Sequence, residues 1–339
     1  MSFSPRLKCT TRLSFDDFVT GMPNSLILHF LSFFDSDSII LVGKVSVRLR
    51  AVYRWFCNQA WNPCKVYEDW FAQSARQFRY QLHHTGAIVS GSIALQFFDR
   101  VQYPNSDMDI FVRTGGAEYI CQWILCEGYR YGHDLSDTYY GQVVDAELKG
   151  ANQKCVTNSS SFENAVLAVH NFTKLVGRRD GSVHLMTVQV IVVDVDPVEH
   201  VLFDFHSSAV MNFITSTEAV SIFPAATFLD RVSYICKIRA ESIERCELWK
   251  SKYAKRGYRM VGAESFSESK SLPLGCRYIS DRHCWVLRFM GIEDKKRPIY
   301  GPRQLNKHFD VLPRASGVVT PGSHIRIAEP YIWRCVFII

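Results

Sequence analysis

The sequence predicts an α+β protein in which a small helical unit precedes a mixed-sheet domain. Three observations support this fold class. Apolar residues recur at helical spacing near the N-terminus, short apolar runs alternate with helical segments over residues 85–225, and a strongly periodic segment over 229–253 predicts a long helix within 226–261. Residues 262–339 are richer in Gly, Pro and Ser, which predicts a small, irregular β-containing C-terminal region.

Length and composition exclude several classes of protein. The chain has 339 residues, of which 47% are hydrophobic and 21% charged, and its formal net charge is +6. This apolar content is too high for a disordered chain, and the length suggests two domains at roughly 150 residues each. No window offers the ~18 uncharged apolar residues of a membrane helix, and the N-terminus lacks the apolar core of a signal peptide. We therefore expect a cytoplasmic or nuclear protein with no membrane partner.

The cysteines give no sign of a structural metal site or a disulfide framework. There are eleven of them, an odd number, and none forms a CxxC pair or repeats at zinc-ribbon spacing. Cys276 with His283 and Cys284 is a poor match to a zinc site. Reduced, partly buried thiols in an intracellular protein are the expectation.

A helical unit is predicted over residues 21–64, behind an N-terminal tail. Pro23 occupies a position that a first helical turn tolerates, and apolar residues then recur at helical spacing as far as Phe34. The run Asp35-Ser-Asp-Ser ends this helix and supplies N-cap residues for a second one, which extends through Leu49. About forty residues can bury little surface alone, so the unit needs a partner, either another protein or the rest of this chain.

Residues 22–61 resemble an F-box. The stretch opens with Met-Pro, continues as an apolar helix and an Asp-rich turn, and closes with Val-Ser-Val-Arg-Leu-Arg and Trp61. The resemblance implies binding to a Skp-type adaptor within a cullin-RING ubiquitin ligase, which acts on a protein target that the sequence does not identify. An ordinary N-terminal helical subdomain is the alternative. The resemblance places these residues at the adaptor surface: Pro23, Leu26, Ile27, Leu31, Ile40 and Val45.

A connecting helix over residues 65–84 leads into the mixed-sheet domain over 85–225. The first strand is the apolar run that ends at Ser90 and is followed by a helix. The clearest hairpin has two apolar strands around the turn Gly177-Arg-Arg-Asp-Gly, and its second strand continues into the apolar run at 190–193. Strands that alternate with helices argue for a mixed sheet with helices packed against it.

Two carboxylates stand at the start of the next strand, in the sequence Asp107-Met-Asp109. Side chains two positions apart point to the same side of a strand, so both can hold Mg²⁺, which prefers oxygen ligands. The turn Ser90-Gly91-Ser92 enters a helix and offers backbone N–H groups and a hydroxyl to phosphates. Together these features suit two-metal nucleotidyl transfer. A solvated pair at a strand edge is the alternative for the two aspartates.

The segment GSIALQFFDRVQYPNSDMDIFV resembles the signature of the nucleotidyltransferase superfamily, a Gly-Ser pair followed by Asp-x-Asp. It is more similar still to a group of fungal proteins of that fold with an SGSxALxFFDRxxYPxSDxD core, and the likeness covers residues 85–235. The resemblance implies an NTP and Mg²⁺ as ligands. By carry-over, the triphosphate would be bound by Ser90, Gly91 and Ser92, and the metal by Asp107 and Asp109.

The chain departs from that superfamily at a third carboxylate, which completes the metal site and serves as the base in active members. Gln189 occupies the expected position on a later strand, and an amide supplies neither a negative charge nor a base. Asp194 is the nearest substitute, but it lies five residues on and points to the opposite strand face unless a bulge intervenes. Further carboxylates to compare with the aspartate pair are Asp145, Glu147 and Asp196.

The missing carboxylate favours a catalytically degenerate domain that recognises a target or ligand. The alternative is an active Mg²⁺-dependent nucleotidyltransferase that transfers NMP from an NTP to a protein, a nucleic acid or a small acceptor. Two other features have competing interpretations. His206 is either a ligand or a core residue. The run 250–259 carries five basic residues and two tyrosines, so it either contacts a polynucleotide or forms a solvated helix end.

Overall fold

A computed structural model describes residues 13–104, 106–132, 166–177, 181, 183–235, 243–261, 271–273, 275–289, 308–311, 324–327 and 333–336. The chain divides into two compact units, Met1–Asn62 and Pro63–Ile339. Helices make up the described part of the first unit, and the second contains a mixed sheet with helices. The predicted α+β class, with a helical region before a sheet-rich one, is therefore confirmed.

The described part of the first unit consists of α1 (Phe15–Thr20), α2 (Asn24–Ser32), α3 (Ser36–Val45) and α4 (Val47–Ala60). The predicted cap is confirmed, because the Asp35 carboxylate accepts the N–H of Ser38 at 2.7 Å. The single helix predicted through Leu49 is wrong. The chain turns at Ser46, whose hydroxyl accepts the N–H of Leu49 at 3.1 Å and begins α4.

The segment predicted to be an N-terminal tail contributes to the core of the first unit. Val19, Val42 and Leu49, from α1, α3 and α4, are buried together. The Ser46 hydroxyl also donates to the Asp16 carboxylate at 2.8 Å, which ties α1 to the start of α4. The helix break at Ser46 is thus supported from a part of the chain 30 residues away.

The second unit begins with α5 (Pro63–Phe71) and α6 (Ala75–Thr85). The predicted connecting helix is therefore wrong as one element, because a 3₁₀ turn at Ala72–Ser74 divides it and Ala72 has a positive φ of 46°. The predicted alternation of strands and helices follows, as β1 (Ile88–Ser90), α7 (Gly91–Asp99), β2 (Met108–Arg113) and α8 (Thr114–Cys126).

The remaining described elements include the rest of the sheet. They are β3 (Arg130–Tyr131), β4 (Val166–Gly177), β5 (Val183–Val193), α9 (Pro197–Asp204), β6 (Asn212–Ile214), β7 (Glu218–Ser221), β8 (Val232–Tyr234), α10 (Ile243–Lys255), β9 (Arg259–Val261), β10 (Gly275–Tyr278), β11 (Trp285–Arg288), β12 (His308–Val311), β13 (His324–Ile327) and β14 (Trp333–Val336). Two short helical turns accompany them in the described part of the chain, a 3₁₀ turn at Ser208–Val210 and a π turn at Ala225–Leu229.

Eight strands form the main sheet in the order β11-β7-β6-β1-β2-β5-β4-β3. β2 and β5 are parallel, and the other neighbouring strands are antiparallel. The predicted hairpin is confirmed as β4 and β5, which pair from Gly177 opposite Val183. The edge strand β11 comes from the region predicted to be a separate C-terminal part, so the sheet extends beyond residues 85–225. Two-stranded pairs are β10 with β12, β13 with β14, and β8 with β9.

The long helix predicted over 229–253 is wrong. Val232–Tyr234 forms β8, which pairs in parallel with Arg259–Val261, and α10 begins only at Ile243. The alternation of Val232, Ser233 and Tyr234 fits a short strand as well as a helix, and periodicity alone cannot separate the two for so short a run. Pairing with a later segment satisfies the backbone of β8 and decides the outcome.

One face of the main sheet changes from apolar to polar along β2. Ile88, Phe111 and Ile191 are neighbours in register, and they share a buried cluster with Leu202 of α9. Because side chains on one face recur every second residue, the next row on this face is also defined by the register. That row is Ser90, Asp109, Gln189 and Asn171.

Candidate functional site

The polar row lies where β1 ends and β2 begins. Asp109 is opposite Ser90 in the antiparallel β1–β2 pair and beside Gln189 in the parallel β2–β5 pair. Gln189 therefore stands next to Asp109, where the superfamily resemblance expects the third carboxylate. Its amide Nε2 donates to Oδ1 of Asn171 at 2.9 Å, so the row continues onto β4 as a neutral pair.

Gly91 brings the backbone of α7 against Asp109. Its φ is 64°, in the left-handed region that favours glycine. A Cβ at this position would collide with Oδ2 of Asp109. The side chain of Ser90 is fully buried, and its hydroxyl donates to the carbonyl of Asn212 at 2.6 Å. Within the predicted turn, the Ser90 hydroxyl is thus already hydrogen-bonded inside the fold. Gly91 instead allows the backbone of α7 to approach the Asp109 carboxylate closely.

Ser92 connects the turn with the C-terminal end of α10. Its hydroxyl accepts a hydrogen bond from Nη1 of Arg256 at 3.1 Å. The Arg256 guanidinium also lies over the ring of Tyr103, 4.1 Å from its centroid, and 5.3 Å from the ring centroid of Tyr253. Cation–π contacts at these distances hold the guanidinium in place. The basic run of the sequence therefore reaches the Gly-Ser turn, a connection that sequence reasoning missed.

The two aspartates form an electrostatically unfavourable pair. Burial raises the pKa of Asp109 to about 7, the negative charge of Asp107 acts in the same direction, and the charge of Lys252 opposes both. Asp107 itself is exposed. A divalent cation would offset the repulsion between the carboxylates, so the pair fits one Mg²⁺ ion with oxygen ligands. Gln189, which is paired with Asp109 in the β2–β5 register, carries a neutral amide oxygen.

Lys252 is the second basic residue that reaches this site. Burial of its ammonium group lowers its pKa, as does the neighbouring charge of Arg256, while the carboxylates of Asp109 and Asp107 raise it. Lys252 and Arg256 are four residues apart, which places them on one side of the helix end. That spacing groups the two basic residues, but no signal in the sequence links them to the aspartates.

His206 belongs to an aromatic cluster near the same helix. Its ring stacks on Trp249 with centroids 4.1 Å apart and an interplanar angle of 18°, and lies 5.6 Å from the ring of Tyr253. Burial and, to a smaller extent, the charge of Lys252 lower the pKa of His206 to about 3. The imidazole is therefore neutral near pH 7, and its contacts favour the core interpretation over that of a ligand.

Asp99, the acidic residue of the FFDR segment, has a structural role. Its two carboxylate oxygens accept hydrogen bonds from Nη1 and Nη2 of Arg231 at 2.6 and 2.7 Å. The guanidinium of Arg231 lies 5.6 Å from the ring centroid of Tyr258. This paired contact joins the end of α7 to the segment before β8.

The structure does not bring Asp194 to the aspartate pair. It follows Val193, which is paired with Arg113 at the far end of β2, and lies about 16 Å along the strand from Gln189. Its expected role as a third carboxylate is therefore incompatible with its position. Burial raises the pKa of Asp194. Asp196 caps α9, where its carboxylate accepts the N–H of Val198 at 2.9 Å.

The other candidate carboxylates do not complete a metal site in the described part of the chain. Asp145 and Glu147 lie outside the described residues. Among the residues that the structure describes, no three His, Cys, Asp or Glu side chains form a group that could hold a metal ion. Within the described part of the chain, Asp107 and Asp109 are therefore a pair of carboxylates without a third, which water, phosphate oxygens or a neutral side chain could supplement as ligands.

The predicted adaptor-facing residues of the first unit divide into two groups. Pro23 is exposed, Leu26 is 54% exposed and Val45 is 66% exposed. Ile27 and Leu31 are 4% and 0% exposed. Those two side chains cannot meet a partner, so their assignment to the adaptor surface is wrong. Ile40, the sixth predicted residue, is partly buried.

Other apolar side chains of the first unit are more exposed than several of the predicted ones. Helical periodicity did not identify them, because it shows which residues share a face but not which face meets the core. The three most relevant are Phe33, Leu41 and Val47, which are 75%, 52% and 82% exposed.

Comparisons with protein-family models, curated proteins and solved structures each found no match to this chain. In the described part of the chain, no helix is both long and apolar enough to cross a lipid bilayer. The functional interpretation therefore depends on the residues of the two candidate surfaces and on their geometry.

Proposed function

We propose that this protein is an F-box-type adaptor of a cullin-RING ubiquitin ligase, acting in the cytoplasm or nucleus. In this proposal, the first unit docks a Skp-type adaptor and the second unit, with a nucleotidyltransferase-like fold, recognises a protein target or a ligand. The observation that carries the adaptor role is the exposed apolar surface of the first unit. Its members are Leu26, Phe33, Leu41, Val45 and Val47.

The exposed surface is costly unless a partner covers it. Exposed apolar side chains can belong to binding sites, and each square ångström of apolar area removed from water contributes about 25 cal/mol. The buried centre of the unit already uses Val19, Val42 and Leu49, so the exposed side chains are not needed to hold these helices together. Docking on a helical partner would bury them.

Co-elution of the full-length protein with a purified Skp-type adaptor tests this role. We expect a stable complex with the wild-type chain and its loss when Leu26→Glu and Val45→Glu are combined, because both side chains are exposed. Leu31→Asp is unsuitable, since Leu31 is fully buried and the change would disrupt folding. Lys44→Ala, an exposed neighbour of Val45, is the matched control. Failure of the wild-type chain to co-elute would reject the adaptor role.

For the second unit, we propose Mg²⁺-dependent binding of a nucleotide without turnover. Asp107 and Asp109 would hold the metal, which neutralises and polarises phosphate oxygens when bound. Gly91 allows the backbone of α7 to approach the same place, and Lys252 supplies positive charge beside the carboxylates. Gln189 in register with Asp109 is the observation that argues against catalysis, because an amide cannot act as a base.

Binding of Mg²⁺ with each NTP, measured by calorimetry, tests this part of the proposal. Asp109→Asn is expected to weaken metal-dependent binding strongly. Asp194→Asn is the matched control, because it removes a partly buried carboxylate at the far end of the same strand pair. Equal losses in the two variants, or no binding to the wild-type protein, would contradict the assigned site.

The alternative is an active nucleotidyltransferase that transfers NMP to a protein, nucleic acid or small acceptor. The intact Gly91-Ser92 turn and the Asp107–Asp109 pair favour it. Label transfer from each NTP, with Mg²⁺ or Mn²⁺, separates the two possibilities. We expect the wild-type protein to be silent and Gln189→Glu, which adds a carboxylate beside Asp109, to tighten metal binding. Gln189→Ala is the control. Wild-type label transfer that vanishes in Asp109→Ala would establish the enzyme.

A further inference from the structure

A cavity of about 720 Å³ lies beside the end of α10, next to the aspartate site, with which it shares Lys252. Its walls include Tyr103, Leu248 and Ser251, together with three basic side chains. Those basic side chains are Lys252, Lys255 and Arg256, and none of the described residues that line the cavity is acidic. The cavity therefore concentrates positive charge within a concave surface.

The three cations are held close together although they repel one another. Lys252 is three residues from Lys255 and four from Arg256, so all three fall on one side of the helix end. The charge of Arg256 contributes to the lowered pKa of Lys252. All three side chains nevertheless line one concave surface, which the attraction of the C-terminal helix dipole for cations does not by itself require.

Arg256 differs from an ordinary surface arginine because its position is set by three neighbours. Its Nη1 donates to Ser92 at 3.1 Å, and its guanidinium lies against the rings of Tyr103 and Tyr253. A guanidinium held in this way loses little further entropy when it binds an anion. Lys250, by contrast, pairs with Glu247 on the same helix at 2.9 Å and does not line the cavity.

We infer that this cavity is a phosphate-binding site whose ligand carries a phosphate monoester or a polyphosphate group. Phosphate oxygens accept the charge-assisted hydrogen bonds that lysine and arginine donate, and their negative charge offsets the repulsion among the three cations. The site goes beyond the proposed function, because it needs neither the aspartates nor a metal ion. The phosphate belongs either to a nucleotide bound at Asp107 and Asp109 or to a separate phosphorylated molecule.

Calorimetric titration of the full-length protein with pyrophosphate in EDTA tests the inference. We expect binding that weakens as salt concentration rises, and at least tenfold weaker binding in Lys255→Ala. Lys255 is exposed, so the variant should fold. Lys250→Ala removes a charge from the same helix outside the cavity and is expected to bind like the wild type. Absence of wild-type binding, or an equal loss in both variants, would overturn the inference.

The same titration separates this inference from the proposed nucleotide site. In EDTA, Asp109→Asn should not weaken pyrophosphate binding, because it removes a negative charge near Lys252. If pyrophosphate binds but Mg²⁺ with a nucleotide does not, the cavity is supported as a phosphate-binding site and the proposed nucleotide site is rejected. If a non-hydrolysable NTP with Mg²⁺ displaces pyrophosphate, the cavity holds the nucleotide's own phosphates. If both bind together, it serves a separate phosphorylated ligand.

Discussion

The two units of the chain present their candidate functional residues in opposite ways. In the first, apolar side chains such as Leu26, Val45 and Val47 are left exposed around a small core. In the second, a row of polar groups is placed by strand register, with Asp109 between Ser90 and Gln189. An apolar surface tolerates small shifts, because burial is not directional, whereas a metal or phosphate site depends on atoms placed within about 0.5 Å.

The ion pairs of the two units differ in the same way. Arg48 and Asp17, in the first unit, are 2.7 Å apart and their side chains are more than half exposed. Arg277, in the second, is 1% exposed and donates to both oxygens of Asp281 at 2.8 and 2.9 Å. Exposed pairs contribute little to stability, while removing one partner of a buried pair leaves an uncompensated charge. The second unit should therefore be far more sensitive to single polar substitutions.

The largest effect is expected from Arg277→Ala. The change leaves the Asp281 carboxylate buried without the Arg277 guanidinium and removes a cation that lies 5.2 Å from the ring centroids of Phe223 and Phe309. We expect the second unit to lose about 3–5 kcal/mol of unfolding free energy, measured by urea denaturation of the full-length protein. Arg48→Ala is the control and should leave the denaturation midpoint almost unchanged. Comparable effects of the two substitutions would remove the contrast between the units.

An intermediate effect is expected from Gly91→Ala. The new Cβ meets the Asp109 carboxylate and the residue must keep a φ of 64°, so we expect a loss of about 1–3 kcal/mol together with loss of Mg²⁺ binding. Gly181→Ala separates the two causes, because Gly181 has a φ of 82° but no atom within 4 Å of the added Cβ. That variant should be less stable yet bind Mg²⁺ normally. Retained Mg²⁺ binding in Gly91→Ala would show that the turn is not part of the metal site.

The smallest effect is a dependence of Mg²⁺ binding on pH. Because the pKa of Asp109 is raised to about 7, its carboxyl group is protonated at pH 6 and must release a proton to bind the metal. Affinity should rise about tenfold between pH 6 and pH 8 and level off above the pKa. Without metal, the stability of the folded protein changes with pH in the opposite direction to the metal affinity. The raised pKa of Asp109 stabilises the folded protein below pH 4, and this contribution is lost as pH rises through 7.

Calorimetry in two buffers of different ionisation enthalpy measures the released proton directly. Asp109→Asn should bind Mg²⁺ weakly and without dependence on pH. The first unit provides the internal comparison, since the proposed adaptor binding through apolar side chains should change little over the same range. Proton release that persists in Asp109→Asn would assign the titration to another group.

Several parts of the fold and site could be predicted because they depend on neighbours in the sequence. Asp35 caps α3 through a hydrogen bond to Ser38, three residues on. The β4–β5 hairpin follows from two apolar runs around a glycine-containing turn, and the neighbouring charges of Asp107 and Asp109 follow from their spacing of two residues. The placement of Gln189 beside Asp109 was also within reach, because the resemblance defined the strand position.

Other parts were wrong or missed because distant segments decide them. Val232–Tyr234 is a strand only through its pairing with Arg259–Val261. The spacing of Ile27 and Leu31 did not predict their burial. The exposed and the buried positions of a short amphipathic helix repeat with the same period, so spacing alone does not separate them. Arg256 donates to Ser92 across 164 residues, which no local pattern encodes.

The sequence by itself determined the α+β class, the helix caps and hairpin, and the glycine–serine and aspartate motifs, because each is a local preference of the backbone or of side-chain periodicity. Only the tertiary structure decided which apolar side chains of the first unit face water and which basic residues stand beside the aspartates. The physical reason is that burial and electrostatic proximity depend on contacts between segments far apart in the chain. The free energy of those contacts, rather than local propensity, selects among the arrangements that the sequence permits.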